Sequence, residues 1–384
     1  MIIPKAERIK DVEEYYFSKK LHQIAEINRT GADVINLGIG SPDLPPPLHV
    51  IESLYQSALD PLHHGYQGYK GTPEFRAAIA QFYQSIYKVT LHTEEVLPLL
   101  GSKEGVSYVS WAFLNQKDIA LVPELGYPAY KAAAKLCQAN AIAYSLTEKN
   151  WQPDWNILEN ILKTEKNIKL LWLNYPHMPT GAPASYETFE RVIALAHQHK
   201  FLVCHDNPYS LVLPQRSPIS ILSVPKAKEV AIELNSMSKS HNMAGWRIGW
   251  VAGNPQYLTA ILQVKSNVDS GMFRAVQDAA IEALALPIEW HHERNKEYSI
   301  RKELVIQLLQ KLGCSYQEPQ EGMFVWAKLP PHASDAEKFA DSILEKYHIF
   351  ITPGTVFGEK GRKYVRISLC SPQQRIIQAI NRIN

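Results

Sequence analysis

Short apolar runs alternate with segments of helical periodicity through the middle of this 384-residue chain. Such alternation is typical of βαβ units, in which a buried strand is followed by a crossover helix. The predicted strands cover residues 96–100, 119–123, 141–145, 168–173, 201–205, 230–235 and 248–252. The predicted helices between them lie near residues 103–114, 130–138, 155–162 and 186–198. The pattern therefore predicts an α/β fold built on a largely parallel sheet.

The order of the predicted elements changes near residues 280–290. A long charged helix is followed there by a strand, a helix and a strand, predicted at residues 322–328, 335–346 and 364–370. Because this part lacks the regular alternation, it predicts a smaller α+β domain. We expect an N-terminal segment that packs with the small domain, a large domain and the small domain, at residues 1–40, 41–285 and 286–384.

The composition argues against several functional classes. Forty Lys and Arg against 38 Asp and Glu give a net charge of +2, without the basic surplus that nucleic-acid binding requires. No apolar run approaches the roughly 18 residues that span a bilayer, and the first residues lack the apolar segment of a secretory signal. The four cysteines share no Cys-x-x-Cys spacing, so we expect no metal site. A cytoplasmic protein without nucleic-acid or membrane partners is expected.

Polar and small residues collect where the predicted strands end. In an open parallel sheet, ligands bind beyond the carboxyl ends of the strands. The residues found there are Gly101, Ser102, Lys103, Tyr127, Asn174, Asp206, Tyr209, Ser236, Lys239 and Arg247. Each one alone has an ordinary explanation, such as a helix cap or a solvated charge. Together they supply an anion site, an aromatic ring, an acid and an amine nucleophile, which an aldehyde cofactor with a phosphate and a ring nitrogen requires.

Seven segments carry a resemblance to a known family. They lie at residues 36–43, 65–76, 123–128, 174–181, 206–209, 236–247 and 364–368. On these segments the sequence resembles the class I/II aminotransferases, which are pyridoxal-phosphate enzymes of fold type I, over nearly the whole chain. The block Ser-Met-Ser-Lys-Ser-His-Asn-Met-Ala-Gly-Trp-Arg at 236–247 is the most specific. The segment at 268–273 is most similar to the branch that holds the LL-diaminopimelate, alanine and aspartate aminotransferases.

The resemblance implies a fold and an activity. The fold is a large domain with a mixed, mostly parallel seven-stranded sheet between helices, plus a smaller α+β domain. The implied enzyme is a transaminase of amino-acid metabolism and biosynthesis that uses pyridoxal 5′-phosphate. It moves an amino group between an L-amino acid and a 2-oxoacid in a ping-pong cycle. A homodimer with shared active sites is also implied, because Tyr66 matches the family's phosphate contact from a neighbouring subunit.

The same resemblance assigns roles in the cofactor site. Lys239 is expected to bind the cofactor covalently and to act as a base, and Asp206 to keep the ring nitrogen protonated. Tyr209 and Asn174 are expected at the ring oxygen, with Asn174 also near the substrate, while Tyr127 stacks on the ring. The expected phosphate ligands are Ser102, Lys103, Ser236 and Arg247.

Arg366 is expected to bind the substrate α-carboxylate through its forked guanidinium, with the backbone of Gly40 beside it. The chain departs from the family at His177 and Met178, where the family usually carries two asparagines. We expect His177 to be a surface-loop substitution, and a substrate contact is the alternative. Arg274 is either a helix-surface arginine or a ligand for a side-chain carboxylate.

Two other functions are compatible with these motifs. A carbon–sulfur β-lyase uses the same cofactor site but eliminates a leaving group from its substrate. The motifs build the cofactor site, so they do not distinguish this reaction from transamination. A non-catalytic module that senses the cofactor is the alternative from another class. We do not expect the DNA-binding domain that usually accompanies such a module, because the family match begins near residue 36 and the net charge is close to zero.

Overall fold

The computed structural model of the chain describes residues 2–10, 12, 14 and 16–383. Its main sheet has seven strands in the order β2-β8-β7-β6-β5-β3-β4. These strands are β2 (Val96–Leu99), β3 (Ile119–Pro123), β4 (Asn140–Tyr144), β5 (Ile168–Asn174), β6 (Leu202–Asp206), β7 (Ala231–Ser236) and β8 (Gly249–Gly253). Strand β8 runs antiparallel to both of its neighbours, and the other pairs are parallel. The predicted mixed, mostly parallel seven-stranded sheet is confirmed.

Helices cover both faces of this sheet. Successive residues of β5 pack into two separate apolar cores, with Leu170 and Trp172 in one and Leu171 and Leu173 in the other. Side chains alternate between the two faces of a strand, so both faces must be covered. The helices of this part are α2 (Leu48–Ala58), α3 (Pro73–Phe82), α4 (Ser102–Phe113), α5 (Pro128–Leu136), α6 (Trp155–Thr164), α7 (Tyr186–His199), α8 (Ala227–Val230), α9 (Met237–Ser240), α10 (Pro255–Lys265) and α11 (Arg274–Leu284).

The C-terminal part forms a second, smaller α+β layer. It contains α12 (Ile288–Lys311), β9 (Ser315–Tyr316), β10 (Phe324–Lys328), α13 (Ala336–Tyr347), β11 (Ile349–Phe350), β12 (Thr352–Pro353), β13 (Tyr364–Ser368) and α14 (Gln373–Arg382). Four of its strands form an antiparallel sheet in the order β12-β13-β10-β9. This sheet places Arg366 in the middle of β13.

The N-terminal segment contacts this C-terminal layer. It contains α1 (Tyr16–Arg29) and β1 (Ile35–Asn36), and β1 pairs in parallel with β11. Lys20 of α1 forms an ion pair with Asp341 of α13, and Asp33 pairs with Arg375 of α14. The exact domain boundaries at residues 40 and 285 stay a prediction.

The predicted strands of the main sheet agree with the structure to within one residue at each end. Strands β5, β6 and β7 each extend one residue further than predicted, to Asn174, Asp206 and Ser236. Asn174 and Asp206 lie opposite each other in the ladder, so these polar residues still belong to the strands. Among the helices of the described residues, none has the length and apolarity needed to cross a membrane.

Candidate active site

Three neighbouring strands bring the predicted site residues to one edge of the sheet. Asn174, Asp206 and Ser236 are the last residues of β5, β6 and β7. These strands are parallel and adjacent, so their carboxyl ends lie side by side. Lys239 follows in α9, the short helix that begins directly after β7. The grouping that we inferred from the order of the strands is therefore present in the fold.

The carboxylate of Asp206 is buried, and its two oxygens have different environments. Oδ2 accepts a hydrogen bond of 2.7 Å from the Tyr130 hydroxyl. Oδ1 has no hydrogen-bond partner among the described residues, although it is shielded from solvent. Burial raises the pKa of Asp206 to about 6, against the Tyr130 hydrogen bond and the charge of His205, which lower it. A buried acceptor with no donor fits a protonated ring nitrogen of the cofactor that the family implies.

Tyr130 is a site residue that sequence reasoning missed. It lies in α5, and its ring stacks on Trp172 at 4.9 Å between centroids and an interplanar angle of 9°. Burial and the nearby Asp206 raise the pKa of Tyr130, so the hydroxyl keeps its proton and donates. The sequence contained one indication of this role. Tyr130 follows the predicted site residue Tyr127 by three positions, so the two lie on the same side of a helix that starts at the site.

Lys239 lies between the sheet edge and the C-terminal layer. Its Nζ donates a hydrogen bond of 2.5 Å to the backbone oxygen of Gly40. Burial lowers the pKa of Lys239, and the charges of Arg366 and Arg247 lower it further. A lowered pKa increases the neutral amine fraction, which is the nucleophilic form. Gly40 lies so close to Phe324 that an added Cβ would be 2.2 Å from that ring.

A cradle for an anion forms at the amino end of α4. Gly101 precedes this helix with a φ of +92°, and an added Cβ there would lie 2.1 Å from Arg247 Nη2. Arg247 donates to the backbone oxygens of Leu100 and Ala244, at 3.1 and 2.9 Å. Ser102 begins α4, whose first backbone N–H groups have no partner within the helix. A helix start beside a guanidinium suits a phosphate.

Two serines and a lysine complete this cradle. Ser236 Oγ donates to Ser238 Oγ at 2.9 Å, and Arg247 Nη1 lies 3.5 Å from Ser238 Oγ. Ser238 was not among the predicted ligands, although the Ser-Met-Ser-Lys sequence contained the signal. Burial lowers the pKa of Lys103, and the nearby charge of Arg247 lowers it further. The predicted phosphate ligands of this chain thus lie together.

Arg366 is buried in an aromatic environment. The carbon of its guanidinium lies 3.8 Å from the Phe324 ring centre and 4.6 Å from that of Phe357. Nη2 donates to Gly38 O at 2.8 Å, and Nη1 donates to Met178 Sδ at 3.3 Å. Aromatic faces attract a guanidinium and keep water away, which strengthens an ion pair formed there.

Asn174, Tyr209 and Tyr127 surround the same space. The Asn174 amide donates to Asp206 O at 2.7 Å and accepts from Met178 N at 2.9 Å, so it joins β6 to the loop after β5. Tyr209 contacts Phe324 edge to face at 5.9 Å, and Tyr127 contacts the ring of Tyr130 at 5.7 Å. These positions agree with residues that face a bound ring.

The expectation that His177 is a surface-loop residue was wrong. Its side chain is buried, with Nδ1 2.8 Å from Thr180 Oγ1 and Nε2 3.1 Å from Leu125 O. Burial lowers the pKa of His177 to about 3, so the imidazole is neutral. Both ring nitrogens find partners inside the protein, which is why the loop turns inward. Met178 is buried beside it and contacts Arg366.

Two other predicted residues lie outside the group around Asp206. Arg274 begins α11 and pairs with Asp278 at 2.8 Å and with Glu74 at 4.0 Å, which agrees with the helix-surface alternative. Tyr66 is 93% exposed. The predicted contact of Tyr66 with the cofactor phosphate in a neighbouring subunit requires such an exposed position.

Comparisons with known proteins agree with this fold. The family model described as aminotransferase class I and II matches residues 32–383. The LL-diaminopimelate aminotransferase of Moorella thermoacetica is 39% identical over 383 residues, covering 99% of this chain and 97% of that protein. The enzyme of the same name from Desulforudis audaxviator is 40% identical over 386 residues, covering 100% and 98%.

Solved structures give the same result. Apo-BacF from Bacillus subtilis superposes with a TM-score of 0.94 at 35% identity, covering 100% of this chain and 98% of that one. The aspartate aminotransferase of Thermus thermophilus with maleate gives 0.91 at 25% identity, covering 99% and 98%. The chain belongs to the class I and II aminotransferases. It is a transaminase, as the sequence predicted.

The unsatisfied carboxylate of Asp206 predicts a stability difference in the apoprotein. Its pKa is raised from 3.8 to about 6 in the fold, so this group lowers the free energy of unfolding as the pH rises through that interval. At pH 7.5 we expect apo Asp206→Asn to be more stable than the wild type by up to about 3 kcal/mol. Urea unfolding of both apoproteins measures this difference.

The pH dependence is the control for that experiment. The stability difference should shrink as the pH falls towards 4, because the folded wild type is then protonated at Asp206. An apo Asp206→Asn protein that is no more stable than the wild type at pH 7.5 would contradict this description of the buried carboxylate.

Proposed function

We propose that this transaminase uses pyridoxal 5′-phosphate to move an amino group between an L-amino acid and a 2-oxoacid in a ping-pong cycle. The main supporting observation is the buried Asp206 oxygen that has no donor among the described residues, at the sheet edge that also carries Ser236 and Lys239. When bound, the cofactor supplies an aldehyde that links to amines and a ring that accepts electrons from the substrate Cα–H bond.

The residues of the chain would hold this cofactor at three points. The start of α4, Ser236 and Arg247 would bind the phosphate, with Lys103 nearby. Asp206 Oδ1 would accept a hydrogen bond from the ring nitrogen, and the Tyr130 hydroxyl fixes the orientation of that carboxylate. Tyr127 would lie on the ring face, while Tyr209 and Asn174 would lie at the ring oxygen.

The substrate would bind at the cofactor, between Lys239 and Arg366. Arg366 would take the α-carboxylate with its forked N–H groups. The Phe324 and Phe357 rings hold the guanidinium in place and exclude water from the ion pair. The Lys239 amine, with its lowered pKa, would take the proton from the substrate Cα and deliver it to carbon C4′ of the cofactor.

The amino donor is proposed from the relatives. Curated relatives named LL-diaminopimelate aminotransferase are 37–40% identical to this chain over nearly its whole length. We therefore place LL-diaminopimelate first in a panel that also contains glutamate, aspartate, alanine and aromatic amino acids. Each is paired with a set of 2-oxoacids.

The test is a half-reaction of the cofactor-loaded enzyme. We expect one or more L-amino acids of the panel to bleach the visible cofactor absorbance and release one equivalent of 2-oxoacid per site. Sustained turnover should appear only when a second 2-oxoacid is added, because the cycle is ping-pong. Lys239→Ala is the matched control, and its cofactor absorbance should bleach much more slowly than that of the wild type. Pyruvate and ammonia formed from cystathionine without any acceptor would instead identify a β-lyase.

We also propose that the enzyme is a homodimer with shared sites. Large apolar side chains are exposed on α2, on the turn after it and on the 268–273 loop, namely Leu48, Ile51, Tyr55, Leu59, Leu62, Val268 and Phe273. Clusters of exposed apolar side chains mark protein interfaces. Tyr66, four residues after Leu62 and 93% exposed, would reach the phosphate cradle of a second copy.

Mixed dimers test this arrangement. Tyr66→Phe should weaken cofactor binding by about tenfold, since it removes one hydrogen bond to a charged group. In a mixed dimer with Lys239→Ala, the Tyr66→Phe chain keeps Lys239 and receives Tyr66 from the other chain. One site per mixed dimer should then bind the cofactor with wild-type affinity. Unchanged weak binding in the mixture, or a monomer by light scattering, would contradict the proposal.

A further inference from the structure

A second buried polar pair lies directly behind the cofactor site. His205 and Glu233 are opposite each other on β6 and β7, and both side chains are completely buried. His205 precedes Asp206, so the two side chains point to opposite faces of the sheet. On its own face the imidazole packs edge to face against Phe189 of α7, at 4.8 Å. No role in the proposed chemistry accounts for this pair.

The imidazole of His205 faces a hydrogen-bond acceptor at each ring nitrogen. Nδ1 lies 2.8 Å from Glu233 Oε2, and Nε2 lies 2.9 Å from the backbone oxygen of Tyr175. A carbonyl oxygen carries no hydrogen, so Nε2 must donate. The remaining proton is therefore shared between Nδ1 and Glu233, and its position decides whether the pair is charged.

The surroundings of Glu233 favour the charged arrangement. Oε1 accepts from the Tyr83 hydroxyl at 2.8 Å, and Oε2 accepts from Ser220 Oγ at 2.9 Å and from Ile221 N at 3.1 Å. Three donors besides His205 thus point at one carboxyl group. Such a set of donors stabilises the carboxylate form of Glu233.

We propose that His205 and Glu233 form a buried imidazolium–carboxylate pair that positions Asp206 for the cofactor ring. The pair joins the three strands that carry the site. It links the Tyr175 carbonyl after β5, His205 in β6 and Glu233 in β7. Each of these residues lies within three positions of Asn174, Asp206 or Ser236.

Besides joining the three strands, the pair places a positive charge next to Asp206. The positive imidazole next to Asp206 lowers the pKa of that carboxyl, against the burial that raises it. The other titratable groups near the pair are Tyr83 and Tyr87, and Tyr130 faces Asp206 from α5. Burial raises the pKa of each of the three phenols, so they stay neutral near pH 7. His205 is therefore the positive group that supports an ionised Asp206 from behind.

The first test is spectroscopic and independent of the reaction. We label the holoenzyme with ¹⁵N-histidine and assign His205 by its loss in His205→Gln. At pH 8 we expect both ring nitrogens of His205 to have the shifts of protonated imidazolium nitrogens. A neutral-imidazole signature, with one unprotonated nitrogen, would overturn the proposal. The readout comes from the wild-type protein, and the variant serves only to assign the signal. If His205→Gln folds poorly, the shift of the same signal in Glu233→Gln gives the assignment.

The second test separates charge from packing. We compare His205→Gln, Glu233→Gln and the double variant with Phe189→Leu, which alters packing on the imidazole and keeps the pair. We expect His205→Gln to lower kcat about tenfold with KM changed less than twofold, and to move the acid limb of the kcat profile to higher pH. The double variant should regain stability through a neutral amide pair, while its acid limb stays shifted. Phe189→Leu should keep the wild-type pH profile.

Two results would overturn the positioning role. One is a wild-type pH profile in His205→Gln, and the other is a double variant that recovers the wild-type profile together with stability. The inference rests on the proposed role of Asp206 towards a ring nitrogen. Failure of that role would appear as an unprotonated ring nitrogen in the wild-type holoenzyme, whereas failure of this inference would leave the ring nitrogen protonated and change only the His205 signals or the variants.

Discussion

The rest of the site depends on one buried carboxylate. Asp206 has one oxygen fixed by Tyr130 and the other left without a donor among the described residues, and burial raises its pKa to about 6. Without a ligand, the protein would be more stable with a neutral group in place of this carboxylate. A positively charged ligand atom next to the free oxygen would remove that cost. The stacking of Tyr130 on Trp172 and the position of Asp206 at the end of β6 both serve to hold this unfavourable group in place.

In the proposed function, the two parts of the chain would divide the chemistry between them. The parallel strands of the main sheet present Asp206, the anion cradle and Lys239 at one edge, where partial charges of strand and helix ends favour polar ligands. The C-terminal layer supplies Arg366 from an antiparallel sheet, held between Phe324 and Phe357. Lys239 donates to Gly40 and Arg366 donates to Gly38, so the segment around β1 connects the two halves of the site.

The sequence predicted the parts of the site that follow from local order along the chain. Strand ends, the turn before α4 and the Ser-Met-Ser-Lys block are local signals, and they located Asp206, Ser102 and Lys239. Contacts between distant residues carry no such signal. Tyr130 and Asp206 are 76 residues apart, and the aromatic environment of Arg366 comes from other elements. The inward turn of the loop at His177 was missed because its partners, such as Leu125, lie in another part of the chain.

The most direct test of this account is the protonation state of the cofactor's ring nitrogen. Enzyme loaded with ring-¹⁵N-labelled pyridoxal 5′-phosphate is compared with the Asp206→Asn variant by solid-state NMR. We expect a protonated ring nitrogen in the wild type and an unprotonated one in the variant, because an amide cannot stabilise the positive ring. The same ring-nitrogen signal in both proteins would contradict the central role of Asp206.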